Sequence, residues 1–169
     1  MKKRFTAVVL GAAVFATYFA NAAHAADESM MKAKPESRAY LHGYNVPSSG
    51  IALEGYCPVA YFAVNKAIRG KQEFAVTHND VTYYFVNADA MKLFQADPVK
   101  YLPAYGGWCA TGMAMQHTVP VDPTNFKIVN GRLLLFLANK NIDTKQIWNQ
   151  RDEKGQLAKA DAHWQTINK

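Results

Sequence analysis

Asn130-Gly131 stands between two apolar, β-rich runs, residues 126–129 and 132–137. A two-residue connection of this kind needs positive φ at both positions, which asparagine and glycine accept, and its twist matches that of paired strands. No other short stretch restricts the backbone as tightly, so the chain must hold an antiparallel hairpin. A second pair of runs, residues 74–77 and 81–85, is joined by His78-Asn79-Asp80, where asparagine or aspartate takes the left-handed backbone. His78 is expected to be exposed in that turn. Helices are read from their caps. Pro58 suits a first helical position ahead of Val59, Ala60, Tyr61 and Phe62, with Gly70 as the latest end. Asn87 caps a helix that runs through Phe94, and Asp97-Pro98 starts one turn that Pro103 closes. From Asp143 the pattern is helical, in one stretch with Ile147, Trp148 and Arg151 and another with Leu157, Ala160, Asp161, Trp164 and Ile167. Gly155 is expected to break the two, and both tryptophans to act as apolar anchors. The reading finds no internal repeat. It gives an α+β class: a small antiparallel sheet of hairpins packed with short helices, plus a C-terminal helical tail.

The other end of the chain sets the compartment. Lys2, Lys3 and Arg4 precede an apolar run over residues 7–20, and Ala23-His24-Ala25 follows. Residues 1–25 therefore read as a secretory signal peptide, cleaved near Ala25. The run is about fourteen residues, short of the roughly 20 that a spanning helix needs. The expected product is periplasmic or secreted, with no membrane span. Residues 26–50, with Pro35, Pro47 and Ser48-Ser49-Gly50, read as a loosely ordered arm in which His42 is a bystander, and residues 51–169 as a single domain. Half of all residues are apolar, enough for a core at this length. The formal charge of +6 falls when three of 19 basic residues leave with the leader, and the rest are scattered. No nucleic-acid partner is expected. Cys57 and Cys109 are an even pair in an oxidising compartment, where a disulfide is the default.

Three segments taken together resemble a known family: 55–62, Gly-Tyr-Cys-Pro-Val-Ala-Tyr-Phe; then Tyr83-Tyr84-Phe85 leading to Phe94 and Asp97-Pro98-Val99-Lys100-Tyr101; then Tyr105-Gly106-Gly107-Trp108-Cys109-Ala110. They are similar to the YHS domain, above all its secreted bacterial branch, and the likeness runs from about Asn45 to Trp164. The resemblance implies a treble-clef-like core with Gly55, Tyr56, Pro58, Tyr105, Gly106, Gly107 and Trp108 as framework, and an activity of binding without catalysis, often beside heavy-metal transport proteins. Ala60 and Val86 stand where metal-binding relatives carry cysteines, so that cysteine site does not transfer. Cys57 and Cys109 lie in the two best-matched motifs, which implies that their segments are close. Three readings of the pair stay open: a structural disulfide, a shared metal site, or two buried or reactive thiols.

Met113, Met115 and His117 point toward copper, because thioether and imidazole ligands suit Cu(I). On a strand all three share one face. On a helix Cys109, Met113 and His117 align and Met115 turns away. Gly112 and Pro120 disfavour a long helix, so the strand arrangement is the better one for three ligands; the competing reading makes the methionines core filler. His163 reads as a surface helix residue. Gly106-Gly107 lacks the following pattern of a phosphate loop, and no nucleophile elbow, zinc-protease or paired-cysteine redox motif is present. Glu54, Asp89 and Asp122 have no partner legible in the sequence. The expectation is thus an exported, non-catalytic binding domain handling a copper or zinc ion or contacting an envelope protein. The competing expectation is a disulfide-stapled module for a protein or small organic ligand, and the third a thiol redox enzyme cycling Cys57 and Cys109.

Overall fold

The computed structural model describes residues 43–168. The leader read over residues 1–25, the first part of the arm over residues 26–42 and His42 lie outside the described residues. The first piece of structure opens with the 3-10 turn Ala52–Gly55, in which Leu53 and Glu54 take left-handed backbone at φ 53° and 50°. Cys57 is extended, and Pro58 starts helix α1, Pro58–Val64, where its missing N–H costs no helical bond. Strand β1, Lys71–His78, then pairs antiparallel with β2, Val81–Phe85, around Asn79 and Asp80, both at positive φ. Asn87 caps α2, Ala88–Ala96, by accepting the Ala90 N–H at 2.9 Å. Asp97 likewise caps the single turn α3, Pro98–Tyr101.

The next piece repeats the first. Turn Ala104–Gly107 holds Tyr105 and Gly106 left-handed at φ 56° and 59°. Cys109 is extended and precedes α4, Ala110–Ala114. Strands β3, Asp122–Val129, and β4, Arg132–Phe136, pair around Asn130-Gly131, both at positive φ. Helices α5, Thr144–Asn149, and α6, Glu153–Ile167, follow.

The correspondence extends to single bonds. Cys57 donates its N–H to Ile68 O at 2.8 Å, and Cys109 donates to Val119 O at 3.0 Å. Ile51 bridges Thr82 in parallel, and Pro103 bridges Leu133 in the same sense. Lys71 faces Phe85, and after an irregularity Ala75 faces Tyr84; Asp122 faces Phe136, and after the same irregularity Phe126 faces Leu135. Gly55 and Gly107, at φ 84° and 85°, close the two turns. The chain therefore contains an internal structural repeat, which corrects the sequence reading. What survives of it in the sequence is little more than Gly55-Tyr56-Cys57 against Gly107-Trp108-Cys109, because the backbone geometry needs only those small or special residues.

Two cores follow from the two repeats. Cys57, Tyr61, Phe85 and Phe94 are fully buried in the first, and Met113, Leu134, Phe136 and Trp148 in the second. Strand β4 belongs to both: Leu133 and Leu135 face the first core, Leu134 and Phe136 the second. Tyr61 reaches across, donating to Pro123 O at 2.9 Å with its ring edge-on to Phe126 at 4.8 Å. The α+β expectation holds, with two small antiparallel sheets of two strands each, several short helices and a C-terminal helix. Among the described residues no helix is long and apolar enough to cross a membrane. Gly155 does not break the tail: the interruption falls before Asp152, whose carboxylate caps α6 by accepting the Gly155 N–H at 2.8 Å.

The disulfide expected between Cys57 and Cys109 is not formed; both are free, buried thiols. The repeat explains why. Each cysteine precedes the first helix of its own half, Cys57 inside the first core and Cys109 with its sulfur 3.3 Å from Thr144 Oγ1. Protein unfolded without reductant should yield two titratable thiols per chain and the folded protein none on the same timescale; a count of zero after unfolding would reinstate the bridge. Truncating Leu134 to alanine should cost about 3 kcal/mol by urea unfolding, as for buried leucines generally. Thr77→Ala, on the exposed face of the first hairpin, should stay within about 0.5 kcal/mol.

Candidate binding cleft

The residues singled out for metal do not come together. Cys109 opens a helix rather than a strand, so the alternation that would align Met113, Met115 and His117 is absent. Met113 is fully buried in the second core, and Met115 ends α4. Gln116 then turns left-handed at φ 65°, and His117 folds back to donate its N–H to Gly112 O at 2.9 Å. Cys109 is spent on the helix start, accepting the Gly112 N–H at 3.4 Å. Among the described residues no group of three or more His, Cys, Asp or Glu side chains could hold a metal ion. The expected copper or zinc site is therefore corrected to a packed helix and its exit turn.

Of the framework residues, Tyr105, Gly106 and Gly107 line a cleft of about 430 Å³ bordered by both repeats, whereas Gly55, Tyr56, Pro58 and Trp108 do not. Leu53 and Glu54 of the first 3-10 turn line it as well. Left-handed backbone at Leu53, Glu54 and Tyr105 costs of order 1 kcal/mol per residue, and such positions cluster at functional sites. Leu102 and Pro103 line the cleft where one repeat passes into the next, and Val81, Tyr83, Val121 and Leu135 add apolar and aromatic wall.

The described end of the arm forms a strap along the cleft. Asn45 donates its N–H to Gly106 O and its side-chain amide to Gly107 O, both at 2.9 Å. Trp108 donates Nε1–H to Gly43 O at 2.7 Å. The Tyr44 ring rests between these anchors, 6.0 Å from that of Trp164. A side chain on Gly106 would meet Tyr44 at 2.3 Å and Trp164 at 2.8 Å, so this glycine is required by close approach as well as by its φ. Gly50 O accepts the Thr82 N–H at 2.7 Å, so the strap continues into the first hairpin.

One wall is fixed by charge. Arg132 donates two hydrogen bonds to Asp161, at 2.7 and 3.1 Å, and Tyr105 donates its hydroxyl to the same carboxylate at 2.9 Å. Arg132 holds the Asp161 carboxyl below the usual carboxylate range, with Tyr105 helping against a smaller desolvation cost. Burial pushes the Tyr105 hydroxyl up. The trio ties the second turn and β4 to α6. Lys127 and Glu153 form a second ion pair, to which Trp148 adds a 3.1 Å bond from Nε1–H.

Tyr83 and His78 differ from these. Tyr83 is 6 % exposed, packs its ring 5.0 Å from that of Phe94, and has no hydrogen-bond partner for its hydroxyl among the described residues. Burial, with Tyr44 adding to it, pushes that hydroxyl up to about 12, so it stays protonated. His78 lies at the end of β1, half-buried with its ring edge-on to Phe94 at 6.0 Å, and faces the cleft rather than standing exposed in the turn. The sequence placed His78 as exposed in a turn and Tyr83 only within a family-like segment, neither as a site residue. Alternation along β2 places Tyr83 inward, but only the second repeat creates an open space for its hydroxyl. Trp164, expected as an anchor, lines the cleft, whereas Trp148 is fully buried. Comparison with family models, curated proteins and solved structures gives no match.

The Asp161 cluster makes a pH prediction. A carboxyl held low in the folded state takes up its proton after the unfolded chain does as pH falls, so its stabilisation is present above the unfolded value, about 4, and is lost on acidification through the folded one. Melting temperature should fall through this range, and Asp161→Asn should flatten that limb while lowering the plateau near neutrality. An unchanged acid limb would remove Asp161 from the account.

Proposed function

We propose that the chain is an exported, YHS-like binding module of the cell envelope that holds a small organic ligand in the cleft between its two repeats, without catalysis. The carrying observation is the cleft itself: about 430 Å³, within the range of ligand pockets, with mostly apolar and aromatic walls and a few placed polar groups. The leader supports export, and the three matched segments support the family reading. The framework glycines and aromatics then have a purpose beyond folding, since Tyr105, Gly106 and Gly107 border the cleft and Gly55 closes the turn that supplies Leu53 and Glu54. Among the described residues no hydrogen bond at the cleft pairs a nucleophile with a base, which favours binding over chemistry.

The test uses Trp164, whose indole lines the cleft, as an energy donor to the neutral fluorophore N-phenyl-1-naphthylamine. Saturable transfer at micromolar probe is expected. Ala104→Trp, which places bulk in the cleft, should weaken it at least tenfold while circular dichroism and the melting transition persist. Absence of saturable binding, or equal binding by a folded filled variant, would overturn the reading.

A further inference from the structure

The polar groups facing the cleft are unequally committed. Arg132 is taken by Asp161. Glu54, the one carboxylate that lines the cleft among the described residues, is already engaged. Asn45 is consumed by the strap, with both its backbone and side-chain donors on the Gly106-Gly107 carbonyls. Tyr44, Asn79, Lys100 and Asn168 bring further polar groups to the lining, but the Tyr83 hydroxyl, on a residue 6 % exposed, and the half-buried His78 imidazole lie together on one hairpin, neither with a hydrogen-bond partner among the described residues. The Tyr83 hydroxyl is not sealed in the core but left open to the cleft. An open hydroxyl that no protein group occupies is a donor a bound acceptor can use.

The charge balance selects the kind of group. Arg132 is neutralised by Asp161 and Glu54 is already engaged, so the charge left to meet a ligand is the Lys100 ammonium at the rim, over the Tyr101 ring at 5.3 Å, which favours a bound anion over a bound cation. A protonated phenol and an imidazole N–H both donate to a carboxylate, and charge-assisted bonds of this sort are roughly twice as strong as neutral ones. The rest of the lining, with Leu53, Val81, Leu102 and the Trp164 indole, accepts an apolar or aromatic body.

We infer that the ligand of the cleft is an apolar or aromatic carboxylic acid, its carboxylate accepting hydrogen bonds from the Tyr83 hydroxyl and the His78 imidazole and its body lying against Leu53, Leu102 and Trp164. This rests on the binding function proposed above and specifies its ligand class. Tyr83 and His78 sit two register positions apart on one face of the hairpin, His78 facing Val81 and Tyr83 facing Val76 with the Thr77–Thr82 pair between, so the hairpin presets their separation.

The experiment displaces N-phenyl-1-naphthylamine from the full chain with 1-naphthoate or with its neutral isostere 1-naphthamide. The carboxylate should compete at least tenfold better than the amide in the wild type. Tyr83→Phe, which removes one oxygen and keeps the packing on Phe94, should reduce that preference, read as the ratio of the two competitors' displacement constants on the same variant, to threefold or less. His78→Gln should reduce it in part. If the fluorophore binds and the two competitors are equal in the wild type, or if Tyr83→Phe keeps the full preference, the carboxylate assignment is overturned while the binding function stands. If the fluorophore itself does not bind, the binding function falls and this inference with it.

Discussion

Four consecutive side chains, Leu133 to Phe136, are fully buried, and the rest of the molecule depends on them. A strand sends alternate residues to opposite faces, so a continuous apolar run is stable only when both faces are covered. Leu133 and Leu135 are covered by the first repeat, Leu134 and Phe136 by α4, α5 and α6 of the second. At roughly 1.5–3 kcal/mol for each side chain removed from water, neither half could expose its share of β4 and stay folded as it is. The two repeats are thus obliged to pack, and the cleft lies beside that obligatory contact.

The repeats are alike in backbone but not in surface, and the difference stops the pattern from continuing. On the first hairpin the positions that match Leu133 and Leu135 are Thr82 and Tyr84, both half-exposed, and Thr82 shares a 3.2 Å hydroxyl contact with Thr77 across the strands. A third repeat would find no apolar face there. Polar outer faces on terminal units are how repeat structures end. The same asymmetry leaves Gly106 free of a side chain where the first repeat has Glu54, and Tyr44 and Trp164 fill the space that results.

Electrostatics secures the geometry around the cleft more than it drives folding. Arg132 and Asp161 are partly exposed and Tyr105 is buried, and their bonds tie α6 to the second turn. Most of the fold's elements were legible: the Asn130-Gly131 hairpin, the Asn87 and Asp97 caps and the Pro58 helix start all stand where local chemistry puts them. The errors share one cause. The partner of Cys57, the face of Met113 and the surroundings of His78 depend on what another part of the chain brings to them, and none of that is written within a few residues.

The sequence by itself determined the leader-like beginning as an expectation and the local elements as fact, because turns, caps and glycine-requiring backbone follow from residues next to one another. It also placed Gly55-Tyr56-Cys57 and Tyr105 to Cys109 as important without revealing that they are equivalent. Only the tertiary structure decided that these segments are two copies of one turn, that each cysteine serves its own half, and that a cleft opens between them. The reason is physical: repeated backbone geometry needs few shared residues, whereas a cavity exists only where distant surfaces pack and leave space unfilled.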